Sequence, residues 1–317
     1  MVTLSDEITK FQLTDEQLAQ FHRDGFIHPI KVYSEDDIEQ RWRSIRKSLV
    51  DRSVAAYTLA EDRSNASISN YDRHLDVDLL SEHIMKPQIV GPVTSILGSD
   101  VLCWRSEFFP KYAGDEGTDW HQSDTFANAS GRPQLVWGDN KDESAHGGTL
   151  TAWTAFTDAT IENGCLQLIP GTHTQMNYDE NKTMAYRPDL INKVDKDGIR
   201  RGFFGYDYRE LQKDPDWKPD EGNAVPIVLK RGETVFFWST LMHASLPNTT
   251  ENDYRMGFAC RFVPTSVQIY PDTEFIDEYG GPVSLEHWAA VLVAGEDTAG
   301  FNKVATVNRR GTAFETW

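Results

Sequence analysis

Cysteine is scarce, long apolar runs are missing and basic residues are outnumbered, and each shortage removes a class of function. The 3 cysteines of the 317-residue chain, Cys103, Cys165 and Cys260, stand singly in apolar or aromatic stretches. None has a second thiol at metal-ligand spacing, so buried free thiols are expected rather than a disulfide framework, which fits a reducing cytoplasm. No apolar stretch reaches the length of about 18 residues that a membrane span needs, and "MVTLSDEITK" has no basic region ahead of an apolar run, so spanning and secretion are both unsupported. Asp and Glu number 49 against 31 Lys and Arg, a formal net charge of −18. Such a surface repels nucleic acid and anionic membranes, and neither is expected as the main partner. A local basic patch can still dock an acidic protein.

The length suits one decorated domain, since all-β barrels often reach this size as a single unit. Residues 1–100 read as a mainly helical wrap. In "LTDEQLAQFHRDGF", Thr14 and Gln17 form a capping-box pattern ahead of Leu18 and Phe21, and Gly25 supplies a stop. A second helix is expected from Ser34, with Ile38, Trp42, Ile45 and Leu49 on its apolar side and Arg41, Arg43, Arg46 and Lys47 elsewhere. From residue 101 the texture changes to short β-type segments such as "VLCWRSEFF", "TLTAWTAF", "ETVFFW" and "RMGFACRFV", separated by Gly, Pro and Asn. "ENGCLQLIPGTH" reads as a strand entered at Asn163-Gly164 and left at Pro170-Gly171. A polar insert at about 172–224 is too long for a plain loop and is expected to be a lid with a short helix. Residues 271–317 form a C-terminal extension in which "SLEHWAAVLV" is expected to be a helix, followed by the basic turn "NRRG". Helices around many short strands point to a mainly β double-stranded β-helix, a cupin-like jelly roll spanning 101–270.

Two of the 9 histidines stand in special settings: His121 in "GTDWHQSDTF" and His243 in "FFWSTLMHASLPN". In a barrel of this type both fall at strand ends, and Arg255 follows on the next expected strand. Two neutral imidazoles suit a borderline metal, and a guanidinium suits a carboxylate. Iron(II) oxygenases that use 2-oxoglutarate need such a set, together with a metal-binding carboxylate. Here the residue two after His121 is Ser123. A serine hydroxyl is too short, neutral and too weak a ligand to stand in for a carboxylate. The vacated position can take an anion, and chloride has the right charge; a hydroxyl beside it could donate a hydrogen bond. An iron(IV)-oxo species that abstracts hydrogen from an aliphatic carbon would then leave a radical able to collect chlorine instead of hydroxyl.

The residues carry a wider likeness. "DRSVAAY", "NYDRHLD", "EFFPKYAGDEGTDWHQSDTFANASG", "TAWTAFTDATIENGCLQLIPGTH", "RRGFFGYDYRELQ", "WKPDE", "FFWSTLMHAS", "RMGFACRFVP" and "DEYGGPVSLE" together resemble the carrier-protein-dependent, non-haem iron, 2-oxoglutarate aliphatic halogenases, within the phytanoyl-CoA dioxygenase-like superfamily. The likeness is strongest to enzymes that chlorinate threonine in nonribosomal peptide biosynthesis. It implies that His121 and His243 bind Fe(II), and that Arg255 holds the far carboxylate of 2-oxoglutarate with Trp153 alongside and Thr118 close by. It further implies that Thr151 and Arg261 surround the chloride, with Phe109 and Glu107 lining the pocket. Ser123 departs from the alanine or glycine of those relatives. The implied substrate is an amino acid tethered as a thioester to a carrier protein, with threonine, 2-aminobutyrate and valine equally open. Carrier docking would fall to the basic helix at 41–47, to Arg200-Arg201 or to Arg309-Arg310; the first is preferred, and reversing Arg43, Arg46 and Lys47 should weaken it. Two other readings stay open: a hydroxylase with the same cofactors, if Ser123 crowds out chloride, and a jelly-roll binding module without turnover.

Overall fold

Thr14 and Gln17 start the first long helix as their spacing predicts. The Thr14 hydroxyl accepts from the Gln17 N–H and the Gln17 side chain accepts from the Thr14 N–H, so the Asp15–Asp24 helix begins with two of its otherwise unpaired amides satisfied. It stops at Gly25, whose φ of 83° is left-handed backbone that glycine adopts without strain. Ser34 caps the Glu35–Ser48 helix through the Asp37 amide, and Ile38, Trp42 and Ile45 form its buried stripe. The computed structural model describes residues 6–57, 71–127, 130–138, 148–187, 189, 193–194, 200–201, 205–278 and 281–317.

The β-type segments form two main antiparallel sheets, with three two-stranded pairings beside them among the described residues. The larger runs, edge to edge, through Phe26–Lys31, Glu233–Trp238, Leu150–Ala155, Arg255–Pro264, Val101–Lys111 and Val291–Ala294. The smaller runs through Thr118–His121, His243–Ser245, Leu166–Leu168 and Val225–Ile227. This is the expected cupin-like jelly roll, mainly β with few helices.

Three expectations need correction. Two strands of the large sheet come from outside 101–270: Phe26–Lys31 and Val291–Ala294 close its two edges. An open edge presents unpaired backbone groups, so the flanking segments cover what the core leaves bare. For the same reason "SLEHWAAVLV" is no helix. Its β-branched Val291 and Val293 are fully buried, and residues 291–294 lie on Val101–Lys111. Among the described residues the insert holds no α-helix: its short helices are 3₁₀ turns at Thr172–Thr174, Tyr208–Leu211 and Glu221–Asn223, beside an antiparallel pairing of Lys193–Val194 with Arg200–Arg201. The three cysteines are buried free thiols, as expected.

One face of the large sheet carries the main aromatic core. Phe258 is fully buried there; its ring lies 4.6 Å from Phe108 and 5.5 Å from both Phe156 and His83, and Trp42 of the Glu35–Ser48 helix packs 5.8 Å from Phe108. Removing the Phe258 ring leaves a cavity among side chains that cannot close in, so Phe258→Ala should lower stability by about 3–5 kcal/mol. Urea unfolding checks this, and a loss too small to measure would show that the cluster is not load-sharing with the sheet.

Candidate active site

Side chains alternate across a strand, so alternate residues of adjacent strands share a face. On the face opposite Phe258, Arg105, Glu107 and Phe109 pair with Arg261, Ala259 and Gly257, and Arg261 and Ala259 pair on their other side with Thr151 and Trp153. This face is one wall of a cavity enclosing about 970 Å³, its mouth included. The smaller sheet forms the other wall. All ten residues singled out in the sequence line this one cavity: Glu107, Phe109, Thr118, His121, Ser123, Thr151, Trp153, His243, Arg255 and Arg261.

His121 and His243 sit directly opposite each other on paired strands, with ring centroids 4.0 Å apart. Each turns Nδ1 to a backbone carbonyl two residues earlier, His121 to Asp119 at 2.8 Å and His243 to Leu241 at 2.7 Å. A carbonyl only accepts, so both Nδ1 atoms carry the proton and Nε2 is the lone-pair nitrogen of each ring, the one able to bind a metal. Burial pushes both imidazoles below the usual histidine range, His243 to about 4 and His121 likewise well down. They are neutral donors at neutral pH.

Arg255 is a buried cation held mainly by neutral groups. Its Nη1 donates to the Gly164 carbonyl at 2.6 Å and its Nη2 to the Phe109 carbonyl at 3.1 Å, while its guanidinium lies 5.3 Å from the Trp153 ring centre. Burial lowers its pKa to about 10, which still leaves it charged, and its buried Nε has no acceptor among the described residues. A desolvated cation with a spare donor and, among the described residues, no ion-pair partner fits a carboxylate brought by a ligand. Gly257 makes the stacking possible: a Cβ there would fall 1.8 Å from Trp153 Cζ2. Thr118 lies on the small-sheet wall, its hydroxyl accepting from Ser245 Oγ at 2.9 Å.

Ser123 lines the cavity, but its hydroxyl does not offer its proton to an anion there. It donates to Glu180 Oε1 at 3.0 Å. Glu180, from the insert, also accepts from the Asp124 amide at 3.1 Å and, through Oε2, from the Thr125 amide at 2.6 Å and hydroxyl at 2.9 Å. The expected serine donor to a halide is therefore replaced by a serine tied back to a buried carboxylate. Asp124 is not among the cavity-lining residues; its Oδ1 lies 3.5 Å from where a Gly148 Cβ would stand. Arg261 donates from Nη1 to Glu107 Oε2 at 2.9 Å, and its guanidinium lies 5.3 Å from the Phe126 ring centre. Burial raises the Glu107 pKa and the charges of Arg261 and Arg105 oppose it.

Sequence reasoning missed several contributors. The Tyr208 ring packs 4.8 Å from His121, and Arg105, Phe126 and Glu278 line the cavity. Arg105 alternates with Glu107 and Phe109 on Val101–Lys111, where a strict face count would have found it, whereas Phe126 lies in the loop after Thr118–His121. Tyr208, Glu180 and Glu278 arrive from the insert and the extension, where spacing holds no signal.

The phytanoyl-CoA dioxygenase (PhyH) family pattern matches residues 21–257, a span that holds both histidines and Arg255. The chain belongs to the phytanoyl-CoA dioxygenase family. Within it, peroxisomal phytanoyl-CoA dioxygenase of Rattus norvegicus is 30% identical over 266 residues, 79% of this chain and 68% of that protein. Ectoine dioxygenase of Bordetella bronchiseptica is 22% identical over 244 residues, 74% of this chain and 71% of that one. Among solved structures the chain is similar to CytC3 with Fe(II) and alpha-ketoglutarate, at 48% identity and a TM-score of 0.74, over 97% of this chain and 98% of that chain. Phytanoyl-CoA dioxygenase membership thus accounts for the jelly roll and its paired histidines, whereas Arg261 and Glu278 lie beyond the matched span.

A metal competes with protons for imidazole, and these two imidazoles take up a proton only well below neutrality. Co(II) affinity should therefore stay flat between pH about 7.5 and about 6, whereas two ordinary histidines would lose more than about ten-fold over that range. Absorbance titrations at the two pH values decide between them.

Proposed function

We propose that the chain is a non-haem Fe(II)- and 2-oxoglutarate-dependent halogenase. It would chlorinate an unactivated aliphatic carbon of a small amino acid, such as threonine or 2-aminobutyrate, carried as a thioester on a carrier protein. The observation that carries this reading is the donor set. Two imidazoles present Nε2 to one cavity and, among the described residues, no Asp, Glu or Cys joins them as a third donor. The likeness to CytC3 with Fe(II) and alpha-ketoglutarate supports the two cofactors. When bound, Fe(II) and 2-oxoglutarate supply dioxygen activation and hydrogen abstraction.

The chain's own residues do the rest in this reading. His121 and His243 hold the metal. Arg255, braced by Trp153, pairs with the far carboxylate of 2-oxoglutarate, and Thr118 lies close by. Ser123 offers no carboxylate to a metal held by the two histidines, so a chloride of the same charge would be held there, within Thr151, Phe109, Glu107 and Arg261. The overall change consumes the carbon–hydrogen bond, chloride, a proton, dioxygen and 2-oxoglutarate, and yields the carbon–chlorine bond, succinate, carbon dioxide and water.

Hydroxylation is the reading that relatives named as dioxygenases favour. Anaerobic reconstitution with Fe(II) and 2-oxoglutarate, followed by a chloride titration of the charge-transfer band and mass spectrometry of the product, separates the two. A chloride-sensitive band and a chlorinated product are expected. A band blind to chloride, or a product gaining only oxygen in saturating chloride, refutes the halogenase.

For the carrier, the basic sites differ in what they have free. Arg41 is paired with Asp37 and Glu82, Arg43 with Glu39, and Arg310 with Asp51, while Arg309 donates to the Val54 carbonyl. Arg200 and Arg201 pair through the backbone with Val194 and Lys193, and their side chains lie outside the described residues. Arg46 and Lys47 are exposed and carry no ion pair among the described residues, which favours the end of the Glu35–Ser48 helix as the docking point. Reversing both charges should lower carrier affinity about 3- to 10-fold, more at low salt, with free amino-acid thioesters unaffected. Unchanged affinity would move docking elsewhere.

A further inference from the structure

Five charged side chains besides the histidines line the cavity: Arg105, Glu107, Arg255, Arg261 and Glu278. Arg255 is assigned above to 2-oxoglutarate, and Arg261 and Glu107 neutralise each other. Glu278 stands apart. Its two hydrogen bonds, from Gln134 Nε2 at 2.7 Å and from Arg105 Nη2 at 3.3 Å, both end on Oε1. Oε2 accepts no hydrogen bond among the described residues, although Glu278 is only 8% exposed and borders the cavity.

The carboxylate is also held in place. Arg105 Nη2 donates to Gln134 Oε1 at 2.7 Å, which closes a three-membered ring of hydrogen bonds, and Tyr270 fixes the same nitrogen at 2.8 Å. Tyr208 relates the group to the metal-facing side: its ring lies against His121, and its hydroxyl feels the charges of Glu180, Glu278 and Glu107. An unpaired oxygen on a nearly buried carboxylate, aimed by a rigid neighbour, calls for a donor, and the donor with charge to match is an ammonium.

We propose that Glu278 Oε2 binds the α-ammonium of the substrate's aminoacyl group, so that Glu278 selects aminoacyl over plain acyl thioesters. This rests on the aminoacyl reading of the substrate given above. Glu278 lies beyond the span shared with the phytanoyl-CoA dioxygenase family, as suits a residue that sets specificity rather than the common chemistry.

The test uses the full chain reconstituted with Fe(II) and 2-oxoglutarate without oxygen, titrated calorimetrically with 2-aminobutyryl- and butyryl-pantetheine. Wild type should prefer the aminoacyl probe by about ten-fold or more, the scale of one shielded charge-assisted hydrogen bond. Glu278→Gln should bind both probes alike, with the butyryl affinity unchanged. Glu278→Asp, which keeps the charge on a shorter arm, should retain part of the preference. A merely structural carboxylate would lower both affinities together. A wild type without preference, or a Glu278→Gln variant that keeps it, overturns the proposal. The charge-transfer band formed on adding 2-oxoglutarate is read separately: its absence from wild type counts against the halogenase reading, while the probe preference still decides the role of Glu278.

Discussion

The site depends on one cross-strand pairing. Opposite residues of an antiparallel pair bring side chains within a few ångströms, and here the opposite residues are His121 and His243. Each imidazole is fixed in tautomer by a carbonyl of its own chain, so the pair arrives as two neutral donors without help from a neighbouring acid. Shift the register by one residue and both rings leave the cavity.

Around this pair the large sheet distributes charge in a graded way. Arg261 and Glu107 cancel within the wall, Arg105 and Glu278 are joined at one oxygen only, and Arg255 is left to carbonyls and an indole. In a low-dielectric interior, incomplete pairing is costly, so the order of incompleteness marks where ligands supply what the chain does not. In the reading proposed above, the cation takes the far end of a dicarboxylate and the half-used anion takes an amine.

Ser123 shows how a single position is governed from a distance in sequence. Its hydroxyl is bound by Glu180, 57 residues further along, and the same carboxylate gathers the amides of Asp124 and Thr125. The turn after His121 is thereby held by the insert as well as by the barrel, to which the Ser123 amide donates at the Ser239 carbonyl. A larger, polar residue than alanine can occupy the position while its proton points to protein.

Local sequence determined the helix caps at Thr14 and Ser34, the β character of the chain after residue 101, the buried state of the cysteines and the histidine, arginine and serine pattern. Each of these follows from chemistry within a few residues: hydrogen bonds to nearby amides, side-chain shape, or the donor type of a ring. Only the tertiary structure decided that Phe26–Lys31 and Val291–Ala294 form the sheet edges, that "SLEHWAAVLV" gives a strand instead of a helix, that Glu180 reaches Ser123, and that Tyr208 and Glu278 reach the cavity. Those outcomes turn on which distant backbone groups need partners and which buried charges need neighbours, and such needs exist only once the chain has come together.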